Sequence, residues 1–152
     1  LVESAAVAAE IIQAGIEEPL ASGRFIVLHD PGGPVAWDGC WRLVTYASAS
    51  VEPELGIDPL LGQVGWSWLT DALDGGGCSH RALGGTVTRV VSESYGTLDD
   101  RDASVDLELR ASWTVDEPDV AEALRTWTEL LCMIAGLPPL PDGVSALPGA
   151  KR

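Results

Sequence analysis

Basic residues are scarce in this sequence, and its single lysine, Lys151, is the penultimate residue. Nine Lys and Arg stand against 23 Asp and Glu, so the formal net charge is −14 at pH 7. Nucleic-acid binding draws much of its affinity from cationic contacts to phosphate, and anionic membranes attract the same side chains. The composition therefore predicts a protein that binds neither nucleic acid nor membranes. A plainer consequence of the same charge is solubility.

Cysteine and histidine are too few and too scattered to indicate a disulfide framework or a metal site. Cys40, Cys78 and Cys132 are odd in number and include no C-x-x-C pair. His29 and His80 are the only histidines, so the further ligands that a metal-dependent His-Asp site requires are missing. We expect reduced cysteines in a cytoplasmic protein with no metal and no cofactor.

Long apolar runs are also missing, and with them any candidate membrane span or signal peptide. The chain opens at Leu1 rather than Met, which is typical of a trimmed piece of a longer product. Its 152 residues, 46% apolar and 21% charged, fit one globular domain over residues 1–152. Residues 137–152 contain four prolines and are expected to form a C-terminal coil.

What is present is a pattern of alternating apolar and polar residues that predicts antiparallel strands. Residues 104–115 alternate strictly, and residues 84–96 are rich in β-branched side chains. The loop TLDDRDAS would join these two strands as a hairpin. Residues 22–30 and 39–52 give a second strand pair, joined by the turn residues DPGGP.

Two segments contain residues that are typical of the start and the end of a helix. In the first, Asp58 caps a helix that runs to about Asp74 and stops at GGG. In the second, Asp116 is the predicted N-cap and Gly136 follows the last turn. The second helix has one apolar stripe that includes Trp127, so core packing accounts for this tryptophan.

The first twenty residues are ambiguous on local grounds. The segment SAAVAAEIIQAG has alanine-rich helix propensity, yet its apolar pattern is not clean. A strand that turns at QAGIEEP into the strand at 22–30 explains the same residues equally well.

Several runs resemble an actinobacterial family of proteins without an assigned function. They are GRFIVLHDP, RLVTYASASVEPE, DPLLGQVGWSWLTDAL, GGTVTRVVSESYG, LELRASWT and WTELLCMIAGLPP. The resemblance implies a helical segment before this chain's start and a strand pair over residues 5–30. The resulting order, (α)–β–β–β–α–β–β–α, predicts an α+β fold with a twisted antiparallel five-stranded sheet packed against two helices. That order is similar to the order in type III secretion chaperones and small bacterial adaptor domains, in which dimers are common.

The first helix contains two tryptophans with different expected roles. At about 100° per residue, Leu61, Val64, Trp68 and Ala72 share the face predicted to pack on the sheet. Trp66, Leu69 and Leu73 form a second apolar stripe off that face. Either another part of the chain covers this stripe, or it is a binding interface, most simply between two copies.

The remaining candidate residues are weaker. His29, Asp30, Trp37 and Cys40 would lie near one end of the sheet and could belong to an unrecognised active site. Cys78 and His80 follow three glycines, but no third group is present to orient them, and a plain glycine-rich loop is the simpler interpretation.

No complete catalytic constellation is present in the sequence. We therefore expect a non-enzymatic, protein-binding domain of the adaptor or chaperone-like kind that forms a homodimer. The alternatives are a small-molecule-binding regulatory domain and an enzyme with a site near His29.

Overall fold

The structure, a computed structural model, describes residues 3–76 and 79–136. It contains the five strands of the predicted α+β fold and three α-helices, one more than the sequence predicts. In chain order these are β1 (Glu3–Ile11), β2 (Ala21–His29), β3 (Trp41–Val51), α1 (Pro53–Gly56), α2 (Leu61–Gly75), β4 (Arg81–Ser92), β5 (Ser104–Val115) and α3 (Val120–Ile134). Short 3-10 turns cover Val35–Trp37 and Gly96–Leu98.

The strands form one sheet in the order β1-β2-β3-β5-β4, and every neighbouring pair is antiparallel. The first strand pairs with the second from Glu3 opposite His29 to Ile11 opposite Ala21. The strand prediction for the N-terminal segment is therefore confirmed and the helical alternative is wrong. The helix expected before this strand, and the coil expected at 137–152, lie outside the described residues.

Both long helices cover the same face of the sheet. α3 contacts β2 and β3, whereas α2 contacts β4. The core forms between them from the odd-numbered residues of the central strands, including Phe25, Leu43 and Leu109. Trp127 is buried there as predicted, and its Nε1 donates a hydrogen bond to the buried Thr45 hydroxyl at 2.7 Å.

The start of α3 differs from the prediction. Asp119, not Asp116, is the N-cap, and its carboxylate accepts a hydrogen bond from the Glu122 amide at 3.1 Å. Asp116 instead binds Arg81 at 2.6 Å. The predicted stop is confirmed, because Gly136 has the positive φ of +81° that ends a helix.

The segment before α2 is also more structured than predicted. The short helix α1 lies between the predicted strand at 39–52 and Asp58, where the sequence predicts no element, and its Gly56 lies against Val105 of β5. The Asp58 carboxylate accepts from the Leu60 amide at 2.8 Å, and α2 begins at Leu61, three residues beyond Asp58.

Strand β4 runs from Arg81 to Ser92 rather than over residues 84–96. It begins earlier because Arg81 already pairs with Thr114 of β5. A bulge between Arg81 and Gly84 separates this pair from the rest of the strand pairing. Within residues 3–76 and 79–136, no helix combines the length and the apolar character needed to cross a membrane.

Candidate functional site

The predicted faces of α2 are wrong by about a quarter turn. Leu69 and Leu73, assigned to an outward stripe, are 1% and 8% exposed and belong to the core. Val64, assigned to the core, is 41% exposed. The buried stripe instead contains Leu61, Gly65, Leu69, Ala72 and Leu73.

The two tryptophans of α2 flank this buried stripe on opposite sides. Both are half-buried and pack against the edge of the core. Trp68 lines a small interior gap together with Ile134 of α3, so it lies on the flank that faces α3. Trp66 is about 160° away around the helix and therefore lies on the flank over β4.

β4 is an edge strand of twelve residues, and no described element pairs with its outer side. About half of its backbone N–H and C=O groups therefore point away from β5. Such an edge is usually shielded by charge, yet β4 contains no Asp or Glu. The opposite edge strand, β1, carries Glu3 and Glu10.

The side chains of β4 do not protect this edge either. Val90 and Val91 are 38% and 57% exposed. Arg89, the cation nearest the middle of the strand, donates hydrogen bonds to the Gly56 and Asp58 carbonyls at 3.0 and 2.7 Å. Its charge is thus directed toward the α1–α2 turn. The β4 edge and the flanking Trp66 form the candidate interface.

The structure gives each of the weaker candidates a local structural contact. The His29 ring stacks on Trp41 with a centroid distance of 4.0 Å, and the Asp30 carboxylate accepts from the Gly32 amide at 2.9 Å. The Cys40 thiol points at the Pro31 carbonyl at 3.7 Å. Asp30 and Cys40 are brought together by a backbone hydrogen bond of 2.8 Å.

Trp37, the fourth of these candidates, takes part in fixing the β2–β3 loop. Its carbonyl accepts a hydrogen bond from the Thr114 hydroxyl, and Arg81 donates to the Asp38 carbonyl at 2.6 Å. The hydrogen bond from Arg81 to Asp116, together with the charges of Asp116 and Asp38, raises the pKa of Arg81. These contacts explain the loop's conformation without any ligand.

A cavity of ≈ 210 Å³ lies between the C-terminal half of α2, the N-terminal half of α3 and the sheet. Its walls are mainly apolar and include Leu69, Trp113 and Leu130, while His80 and Asp119 stand among its polar residues. His80 thus lines a cavity, whereas its sequence neighbour Cys78 lies outside the described residues. Among residues 3–76 and 79–136, no group of three or more His, Cys, Asp or Glu could hold a metal ion.

Comparison with protein families gives one match. A family described as "Protein of unknown function (DUF3000)" matches residues 3–145, which is nearly the whole chain. The chain belongs to this family. Searches of curated proteins and of solved structures found no match. The family assignment confirms the resemblance seen in the sequence at the level of a domain of unknown function.

Proposed function

We propose that this protein is a homodimeric, protein-binding domain that acts by association rather than by catalysis, and that two copies join through the β4 edge. The observation that carries the proposal is an unpaired, twelve-residue edge strand without a single acidic residue, in a chain of net charge −14. Two such chains repel each other over most of their surfaces. The β4 edge brings no acidic side chain of its own to such a contact, and its outward backbone groups have no partner strand among the described residues.

The same pairing would bring Trp66 into the interface. Gly65 of α2 lies over Val87 of β4 and Leu107 of β5, so the helix axis runs between these strands. With strands spaced at about 4.8 Å, antiparallel pairing of β4 with a second β4 places the two α2 helices about 10 Å apart. That is the distance of packed helices, and the Trp66 flanks would face each other across it.

The finer features of the proposal have separate support. The adaptor or chaperone-like role is an analogy that rests on the similarity of element order to type III secretion chaperones. The cysteines number three and include no C-x-x-C pair, which favours the cytoplasm, and the acidic surface disfavours nucleic acid and membranes as partners. The actinobacterial origin implied by the resemblance stays a prediction.

The dimer is tested by light scattering coupled to size-exclusion chromatography. We expect a dimer for the wild type and a monomer for Val90→Asp, because the variant places a carboxylate on each of the two edges, and charged side chains on an edge strand oppose edge-to-edge pairing. Trp66→Ala should weaken the dimer at least tenfold, since buried tryptophans dominate many interfaces. The matched control is Val7→Asp on the other edge strand, where Val7 is 40% exposed, close to the 38% of Val90.

A monomeric wild type at all accessible concentrations would refute the proposed dimer. A dimer that Val7→Asp dissociates and Val90→Asp does not would place the interface at β1 instead. Circular dichroism of each variant shows whether a monomer is still folded, which is needed for Trp66→Ala because this side chain also packs against the core.

The cavity between α2 and α3 supports a second candidate, a small-molecule-binding regulatory domain. Its apolar walls with a few polar side chains match the usual chemistry of ligand sites. Thermal-shift screening with metabolites should then find a stabilising compound. Ala123→Phe, which fills the cavity, should abolish that shift.

A further inference from the structure

The face of the sheet opposite the long helices is open. In the part of the chain that the structure describes, no helix packs on it. The β2–β3 loop closes one end, where the Trp37 carbonyl meets Thr114 and Arg42 donates to the Ser112 and Thr114 hydroxyls at 2.8 Å each. The result is a broad groove of ≈ 1330 Å³ lined by all five strands.

A row of large polar side chains crosses the middle of this groove. Strand pairing places Arg24 of β2 opposite Tyr46 of β3, and Tyr46 opposite Arg110 of β5. The row is completed by the small residues Ala8 of β1 and Thr86 of β4 at the two sides. Two guanidinium groups therefore flank one aromatic ring, on strands about 10 Å apart.

The two arginines of this row differ in their hydrogen-bond and ion-pair partners. Arg110 lies over the Tyr46 ring at 4.8 Å and pairs with Glu108 at 2.9 Å, while the Tyr46 hydroxyl donates to the same carboxylate at 3.2 Å. Arg24 is exposed and makes no hydrogen bond or ion pair with any residue in the ranges 3–76 and 79–136. Among the described residues Arg24 thus has no partner, although the chain has 23 acidic residues.

The next row along the strands is apolar across β1, β2 and β3. Ala6, Ile26 and Val44 lie side by side there, and Ile26 and Val44 are half-buried. On the other side of the arginine row, Glu10 and Glu108 flank two serines. The groove thus combines one apolar strip, one narrow cationic row and an acidic border.

We propose that this groove binds an acidic, amphipathic segment of a partner protein. The apolar side of the segment would lie on Ile26 and Val44, and one or two of its carboxylates would bind Arg24 and Arg110 by charge-assisted hydrogen bonds. An α-helix about 10 to 12 Å wide would fit across a sheet of this width. This is a heterologous site on a different surface from the β4 edge, and it does not depend on the dimer.

The size and charge of the groove favour this occupant over others. It is a broad and open surface lined by all five strands, whereas small-molecule sites are clefts or cavities that enclose most of the ligand. A nucleic acid needs many cationic contacts, whereas this row offers two and is bordered by carboxylates. A protein segment with only one or two acidic groups is larger than a small molecule and needs no more than the two cationic contacts that this row offers.

The test is selection of a random peptide library on the purified protein, followed by fluorescence anisotropy with the best peptide. We expect enrichment of Asp and Glu together with Leu, Ile or Phe at helical spacing. Arg24→Glu should weaken binding of that peptide at least tenfold, because it replaces an attractive contact with a repulsive one. Arg101→Glu is the matched control, since Arg101 is an exposed arginine in the β4–β5 loop, outside the groove.

Several outcomes would overturn the proposal. They are a selection that enriches basic or no peptides, a best peptide whose affinity Arg24→Glu leaves unchanged, and equal losses in Arg24→Glu and Arg101→Glu. Binding of a single-stranded RNA oligonucleotide in an Arg24-dependent manner, without peptide binding, would assign the groove to nucleic acid instead. Arg24 is exposed, so its substitution leaves the core intact, and thermal unfolding of each variant verifies this.

Discussion

Gly23 lies where α3 packs tightly on the sheet. A Cβ atom at this position would lie 2.8 Å from Leu131 Cδ2, 2.8 Å from the Tyr46 carbonyl and 3.0 Å from Trp127 Cζ2. We therefore expect Gly23→Ala to lower the free energy of unfolding by about 1 to 3 kcal/mol, because neither the strand backbone nor the two buried side chains can move freely. Urea denaturation followed by tryptophan fluorescence measures this change.

Gly84 supplies the control for that substitution. It is also a strand glycine, but a Cβ atom there would meet nothing within 4 Å. Gly84→Ala should leave stability nearly unchanged or raise it slightly, since it reduces the freedom of the unfolded chain. Equal losses for both glycines would show that strand propensity, not crowding under α3, determines the effect.

Among single residues, Trp127 and Trp66 show what a sequence pattern can and cannot predict. Trp127 belongs to a helix with one apolar stripe, so its burial could be predicted. Helix α2 is apolar over more than half of its circumference, and several rotations of it satisfy the pattern. The observed rotation of α2 about its axis places Gly65, which has no side chain, against Val87 and Leu107 of the sheet.

The N-terminus of α3 provides a test at the level of an element. Asp119→Ala removes the side-chain hydrogen bond that caps the Glu122 backbone N–H in the first turn of this helix, and should cost about 1 kcal/mol of stability. Asp116→Ala removes only an exposed ion pair with Arg81 and should cost less, with no loss of helicity. Denaturation and circular dichroism of both variants distinguish them. A larger loss of stability for Asp116→Ala than for Asp119→Ala would show that Asp116 is the N-cap, as the sequence predicts.

That error at Asp116 has a simple cause. Three acidic residues, Asp116, Glu117 and Asp119, precede the helix, and any Asp among them is a good cap. Asp116 instead binds Arg81, which is 35 positions away along the chain. Local sequence cannot show such a partner.

Strand positions were easier to predict than the site. Alternation, apolar runs and β-branched composition predicted four of the strands, the hairpin of β4 with β5 and the α+β class, because each depends on neighbouring residues. The first strand, β1, is ambiguous on local grounds, and its prediction rests on the family resemblance. Which strands lie at the edges depends on the order of the whole sheet. The acid-free run in β4 was visible in the sequence, but its meaning follows only from its edge position.

Salt dependence is the expectation that belongs to the whole molecule. Two chains of net charge −14 repel each other, and salt screens that repulsion. Raising the ionic strength from about 0.01 M to about 0.15 M shortens the Debye length from about 30 Å to about 8 Å. We therefore expect the dimer dissociation constant, measured by analytical ultracentrifugation, to fall severalfold over this range. A rise would instead indicate an interface held by ion pairs.

The confinement of both long helices to one face of the sheet has a consequence for valency. Antiparallel pairing of two β4 edges creates a two-fold axis perpendicular to the sheet, so both open grooves would face the same direction. Five strand spacings separate the two β3 strands, which puts the groove centres about 24 Å apart. A partner with two suitably spaced acidic segments could then engage both, and the second contact would form at high effective concentration. Avidity of this kind would let individually weak grooves hold one partner firmly.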